Sequence, residues 1–214
     1  MVISWYGQSC FKIQSGSTVV VTDPFNKSIG LNPPKAEAQL VLISHDHPDH
    51  NNIATIKGSP FVIDGPGEYD HLGIRVEGML SYQDNKEGED RGLNTIYSIK
   101  MDNIQICHLG YLGQHNLNDD QLERLGEVDI LLIPVGGEHT IDGENAVEII
   151  NQIEPRLVIP MHYKIKGIKT KPEGVDGFLK AIGKNDASPQ DKLTIKKKDL
   201  PGPEEKTEVV VLGA

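Results

Sequence analysis

Four consecutive apolar residues, Leu40-Val41-Leu42-Ile43, run directly into Ser44-His45-Asp46-His47-Pro48-Asp49-His50. So short an all-apolar run is expected of a strand buried on both faces, which requires covering layers on either side of its sheet. In the segment that follows, His45, His47, Asp49 and His50 place three imidazoles and a carboxylate within six residues. Imidazole nitrogen and carboxylate oxygen are ligands that zinc, iron and manganese accept. A loop suits them better than a strand, which would send successive side chains to opposite faces. Pro48 stiffens the turn and lowers the entropy lost on fixing the ligands. The plainer alternative is a polar loop whose histidines cap nearby backbone groups. Four ligand-type residues at this density rarely arise by chance, so metal binding is the expectation.

The rest of the chain supplies strands around that loop. Residues 2–6, 10–14 and 18–22 are β-rich, with turn signals at Gly7-Gln8-Ser9 and Ser15-Gly16-Ser17. Further strands are expected at 61–63, 74–77, 94–100, 104–108, 129–134, 156–160, 193–197 and 207–212. Three helices are expected. Asn118 with Gln121 resembles a capping box opening a helix to about Leu125, and Gly126 can stop it. Asp142 can cap 143–153, where Ala146, Ile149, Ile150 and Ile153 share a face, and 175–182 is shorter. Residues 82–91 and 166–174 are polar loops able to rim a site. No repeat or linker interrupts the 214 residues, which are expected to form a single domain, 1–214.

Charge narrows the partners. With 21 basic and 31 acidic residues the net charge is −10, which repels polyphosphate chains unless a local patch overrides it. The tightest basic run, Lys196-Lys197-Lys198, reads as a solvated strand end. A small-molecule substrate is therefore expected rather than nucleic acid, and a homo-oligomer is compatible. Cys10 and Cys107 have no redox or metal spacing and read as buried free thiols. No signal-peptide pattern and no apolar run near the roughly 20 residues of a membrane span is visible, so a cytoplasmic location is expected.

The His-x-His-x-Asp-His pattern at 45–50 resembles the signature of the metallo-β-lactamase superfamily. Trp5-Tyr6-Gly7-Gln8-Ser9, Thr22-Asp23-Pro24-Phe25, Gly65-Pro66-Gly67-Glu68-Tyr69 and His108-Leu109-Gly110-Tyr111-Leu112-Gly113 extend the likeness. So do Ile133-Pro134-Val135-Gly136-Gly137 and Ile159-Pro160-Met161-His162-Tyr163. Together they are similar to one branch, the small metal-dependent hydrolases related to the L-ascorbate-6-phosphate lactonase, over roughly residues 1 to 165. The resemblance implies an α+β fold, the four-layer αββα sandwich, with its site at the sheet edges. It also implies two metal positions. His45 and His47 would serve the first, and Asp49, His50 and His162 the second.

Two residues depart from that pattern. Gln83 stands where the branch usually brings a third histidine, and Tyr111 where it has the carboxylate bridging both metals. Glutamine is a weak neutral ligand, and a phenol of pKa near 10 coordinates poorly while protonated. The expectation is one tightly held metal, zinc first and manganese or iron as alternatives, on Asp49, His50 and His162. Asp49 would be ligand and proton acceptor, and Tyr111 a hydrogen-bond donor to an oxyanion or leaving group. The implied activity is hydrolysis of a small ester, lactone or phosphodiester. The competing reading is a degenerate member that binds metal or ligand without turnover; a ribonuclease Z-type nuclease is a third, opposed by charge. Asp23 is expected to orient the ligand loop and His108 to pack or hydrogen-bond behind it. His71, His115 and His139 read as loop residues, and Glu68 as either an alternative carboxylate or a turn residue.

Overall fold

In the computed structural model, which describes residues 1–184 and 187–214, period-two burial organises the first half of the chain. Its strands are β1 (Val2–Gly7), β2 (Cys10–Ser15), β3 (Thr18–Thr22), β4 (Leu40–Leu42) and β5 (Phe61–Ile63). Val20, Leu40 and Leu42 join the main core, while Val19, Val21 and Val41 join a second cluster with Phe25, Ile29 and Ile56. Both faces of β3 and β4 are thus buried, as the all-apolar run requires. The outer cover of this sheet is the 24–39 segment with two short 3-10 turns, Lys27–Ile29 and Ile53–Thr55.

The second half continues with β6 (Gly67–His71), β7 (Ile74–Tyr82), β8 (Leu93–Met101) and β9 (Ile104–His108). Then come α1 (Asp119–Leu125), β10 (Ile130–Pro134), α2 (Gly143–Ile153), β11 (Leu157–Met161) and α3 (Val175–Ala181). The described chain closes with β12 (Leu193–Thr194) and β13 (Glu208–Val209). The first sheet has the order β12-β1-β2-β3-β4-β5 and the second β13-β11-β10-β9-β8-β7-β6. β3, β4 and β5 run parallel in one sheet, and β9, β10, β11 and β13 in the other. This is the α+β sandwich expected of the metallo-β-lactamase fold.

Trp5, Phe11 and Ile13 from one sheet and Tyr97 and Ile99 from the other fill the space between them. Each such fully buried side chain contributes about 1.5–3 kcal/mol. The Tyr97 hydroxyl donates to the carbonyls of Ile43 (2.7 Å) and Ile63 (3.2 Å), fastening β8 to the strand ends beneath the ligand loop. Asn118 and Gln121 form the expected capping box, and Asp142 accepts from the Glu144 and Asn145 N–H groups.

Several local expectations are corrected. β7 runs on to Tyr82 because it pairs along its whole length with β8. Gly67–His71, where no strand is expected, is an antiparallel strand against β7, so Glu68 is a strand residue and not a turn residue. Lys196-Lys197-Lys198 is not a strand end. Residues 197–199 form a 3-10 turn, and Lys197 Nζ lies 2.6 Å from buried Asp129, which a solvated run would not do. Among the described residues no helix is long and apolar enough to cross a membrane.

Candidate metal centre

Parallel strands deliver their loops to one edge, and the candidate residues gather there. β3 leads to Asp23, β4 into His45–His50, β9 to Tyr111 and β11 to His162. Asp23 is fully buried, with φ of 40°. One carboxylate oxygen accepts the Ser44 N–H (2.7 Å), and the other lies 2.7 Å from His108 Nε2. His50 Nδ1 stands 3.6 Å from Asp23, outside hydrogen-bond range but close enough for charge attraction. Burial opposes ionisation of Asp23, yet His108 and His50 outweigh it and hold the carboxyl far below its ordinary range. Asp23 thus orients the ligand loop, and His108 supports it from behind.

The loop is tightly wound. His50 N–H and Asn51 N–H both donate to the His47 carbonyl, at 2.8 and 3.0 Å, and Asn52 N–H donates to the Pro24 carbonyl at 2.7 Å. Asp46 points outward to Asn51. His45, His47 and Asp49 offer donor atoms all within 4.8 Å of one another, and His47 Nδ1 contacts Asp49 Oδ1 directly. His50 Nε2 lies 3.9 Å from the same Asp49 oxygen. The His50 and His162 rings are nearly parallel, with centroids 5.9 Å apart.

His162 arrives from the second sheet in a left-handed conformation, φ 54°. Its N–H donates to the Gln8 carbonyl (3.1 Å), so the β1–β2 turn fixes it. Gly136 makes room, since a Cβ there would fall 2.1 Å from the His162 carbonyl oxygen. The Tyr111 ring packs against His45, His50 and His162, at centroid distances of 4.9, 5.2 and 5.0 Å. Asn94 accepts the Tyr111 N–H (2.8 Å) and donates to the Leu109 carbonyl, holding that turn.

Burial, reinforced by His50, lowers the pKa of His45 and of His162 to about 3, so both are neutral at ordinary pH. For His50, burial is outweighed by Asp23 and then Asp49, and its pKa is raised. Asp49 is partly desolvated, but His50 and His47 keep its pKa below the ordinary carboxylate value. Burial, and secondarily Asp49, raises the Tyr111 phenol, which therefore keeps its proton.

The departures behave as neutral side chains. Gln83 spends its amide N–H on the Leu93 carbonyl (2.8 Å). Its neighbour Asp84 is buried and accepts from four backbone N–H groups, of Lys86, Gly88, Asp90 and Arg91, shaping the 85–91 loop. His139 is exposed on the rim, where its carbonyl receives Arg91. His71 stacks on Phe61, His115 accompanies Asn85, and Glu68 is an exposed β6 residue paired across from Glu77, away from the cluster. Sequence reasoning passed over Asn94 and Gln8. The Gln8 side-chain amide is buried without a partner beside His162, and its only sequence signal was membership of the Trp5–Ser9 motif.

The family profile described as Beta-lactamase superfamily domain matches residues 2–162, three-quarters of the chain and every residue of the cluster. The chain belongs to the metallo-β-lactamase superfamily. Among relatives, the UPF0173 metal-dependent hydrolase of Methanoculleus marisnigri is 32% identical over 187 residues, covering 76% of this chain and 81% of its own. That of Thermoplasma acidophilum is 28% identical over 211 residues, covering 85% and 92%. A crystal structure from Thermotoga maritima, assigned as a Zn-dependent hydrolase of the superfamily, has 34% identity and a TM-score of 0.79, covering 99% of both chains. Igni18, a metallo hydrolase from Ignicoccus hospitalis, shares the fold at 18% identity and a TM-score of 0.64, covering 91% of this chain and 99% of its own.

Proposed function

We propose that this superfamily member is a hydrolase of small esters, lactones or phosphodiesters that works with one firmly held divalent metal, zinc before manganese or iron. The observation that carries the reading is the set of four ring nitrogens on His50 and His162, all buried and without a hydrogen-bond partner. Leaving so many polar atoms unpaired is costly, and a cation held between the two rings, 5.9 Å apart at their centroids, would satisfy one on each. Asp49, His50 and His162 would hold the metal, with His45 and His47 as a weaker adjoining pair. When bound there, such a metal supplies Lewis acidity and lowers the pKa of water.

The protein's own residues supply the rest. Asp49, ionised at neutral pH, can accept a proton. Tyr111 keeps its proton and can donate a hydrogen bond to an oxyanion or a leaving group. Asp23 and His108 hold the loop without touching substrate. The same features support a cytoplasmic protein acting on small molecules, since both cysteines are free and buried.

A specific observation favours a second reading. By the resemblance, Tyr111 replaces a bridging carboxylate; its ring packs on His45 and Gln83 is tied to the backbone, which suits a binding protein without turnover. Assay of lactones, aryl esters and phosphodiesters with zinc, manganese and iron separates the two. The hydrolase reading expects turnover by wild type that disappears in His162→Ala while the thermal transition persists. No turnover from fully metal-loaded protein on the whole panel establishes the binding protein instead.

A further inference from the structure

The net charge of −10 conceals a local reversal. Residues 24–36 and 163–172 contain six lysines, Lys27, Lys35, Lys164, Lys166, Lys169 and Lys171, and no aspartate or glutamate. The fold fastens these two segments together. Lys169 N–H donates to the Ile29 carbonyl (2.9 Å), and Gly30 sits so close that a Cβ would fall 2.2 Å from the Gly167 carbonyl oxygen. Between them lies an open groove of about 980 Å³, lined by Lys27, Lys35 and Lys166 together with Tyr6, Leu31 and Ile165. Among the described residues, the lysines in ion pairs are Lys86 and Lys197, so none of these six ammonium groups is paired; the one carboxylate that touches the two segments is that of Glu138, which accepts the Lys171 N–H at 2.9 Å.

No residue of the histidine cluster lines the groove, but the backbone ties the two together. One wall continues from Asp23 and the other from His162. Gly7 lies against both, since a Cβ there would meet Leu31 at 2.6 Å and Ile165 at 3.2 Å, and the next residue, Gln8, receives the His162 N–H. Asn52, two residues past His50, donates to the carbonyls of Pro24 (2.7 Å) and Phe25 (3.1 Å).

We propose that this groove binds a multiply charged anionic group of the substrate, a phosphate or clustered carboxylates on a small molecule, while the bond to be cleaved lies at the histidine cluster. The proposal rests on the hydrolase reading above and narrows its substrate class. Lysine ammonium groups bind phosphate as compact point charges, and Tyr6, Leu31 and Ile165 offer an apolar wall to a carbon skeleton. A small anion fits better than a polymer because the acidic remainder of the surface repels a polyphosphate chain extending beyond the groove.

The test is a calorimetric titration with inorganic phosphate, pyrophosphate and citrate at low and at physiological salt. It compares wild type, the variant Lys27→Gln/Lys35→Gln/Lys166→Gln and His162→Ala, with thermal melting to confirm that each folds. Wild type and His162→Ala are expected to bind at least one probe at one equivalent, more weakly as salt rises, and the triple variant to lose at least tenfold in affinity. Preference for the phosphates or for citrate identifies which anion the groove takes. Binding that survives in the triple variant but vanishes in His162→Ala places the anion on the metal and overturns the proposal. Absence of binding to every probe does the same, as does tighter binding of a single-stranded RNA oligonucleotide than of any small anion. None of these readings requires turnover, so they stand whether or not the hydrolase reading does.

Discussion

His50 and His162 are sealed from solvent, whereas His45 is half-buried and the His47 side chain is 62% exposed. The sealed pair is fixed from behind, His50 by its charge contact with Asp23 and His162 by the backbone of the β1–β2 turn. The outer pair has thinner support. His45 Nδ1 meets the Ser44 hydroxyl at 3.1 Å, and the His47 ring contacts Asp49 and stacks on His45 at 6.1 Å. One sequence motif thus supplies histidines to two positions of unequal rigidity. Affinity for a metal depends on how well ligands are held before it arrives, so the inner position should dominate even though the outer donors lie close together.

The largest effect should come from removing the inner anchor. Asp23→Asn leaves His108 and His50 without their counter-charge in a fully buried site and perturbs the Ser44 contact. Breaking a buried pair from one side costs roughly 3 kcal/mol or more, and for a chain this long that lowers the melting temperature by roughly 6–12 °C. Metal affinity should fall by about 10- to 100-fold as the ligand loop loses its orientation. Calorimetry with metal analysis checks both. An Asp23→Asn protein that melts like wild type and keeps its metal would show that the inner half is no better supported than the outer.

Next in size is a paired comparison of ligands. His162→Ala should strip the protein of metal at concentrations where His47→Ala retains it, with at least tenfold between their dissociation constants. Competition with a chelator of known affinity measures the ratio. The reverse order would move the metal to the set in which His45, His47 and Asp49 converge.

How much of this was visible beforehand follows the same division. The strand and the loop after it are contiguous, so the burial of Leu40–Ile43 and the donor types that follow could both be read from eleven residues in a row. The two strongly capped helices were readable because their signals are local, and α2 begins at the expected Asp142 cap. The contact between Asp23 and His108 spans 85 positions, and nothing in either segment alone announces that particular distance. Asn94 looked like an ordinary strand residue because its role is to receive a turn from β9. The strand at Gly67–His71 was hidden by its glycine and charged residues, and pairing with β7 overrode their low β-propensity. The lysine groove escaped for a related reason. Its charges are interspersed along two distant segments, and a search for runs finds Lys196–Lys198 instead, where one lysine is already neutralised by Asp129.

The smallest effect sharpens the comparison most. Tyr111 packs against His45 on the outer side and against His50 and His162 on the inner side, yet its hydroxyl makes no hydrogen bond among the described residues. Tyr111→Phe should therefore leave stability within about 0.5 kcal/mol and metal content at one equivalent, because only a hydroxyl is removed. Tyr111→Asp changes the outer half specifically. It removes the ring and puts an anionic oxygen next to the two less supported histidines, supplying charge that the outer position lacks while Asp49 is shared with the inner one. Metal content should then rise above one equivalent, with the added ion the first to leave during dialysis. If Tyr111→Asp still binds a single ion while Tyr111→Phe is unchanged, the weakness of the outer position lies in its missing third ligand at Gln83, and the tyrosine is not what keeps a second ion out.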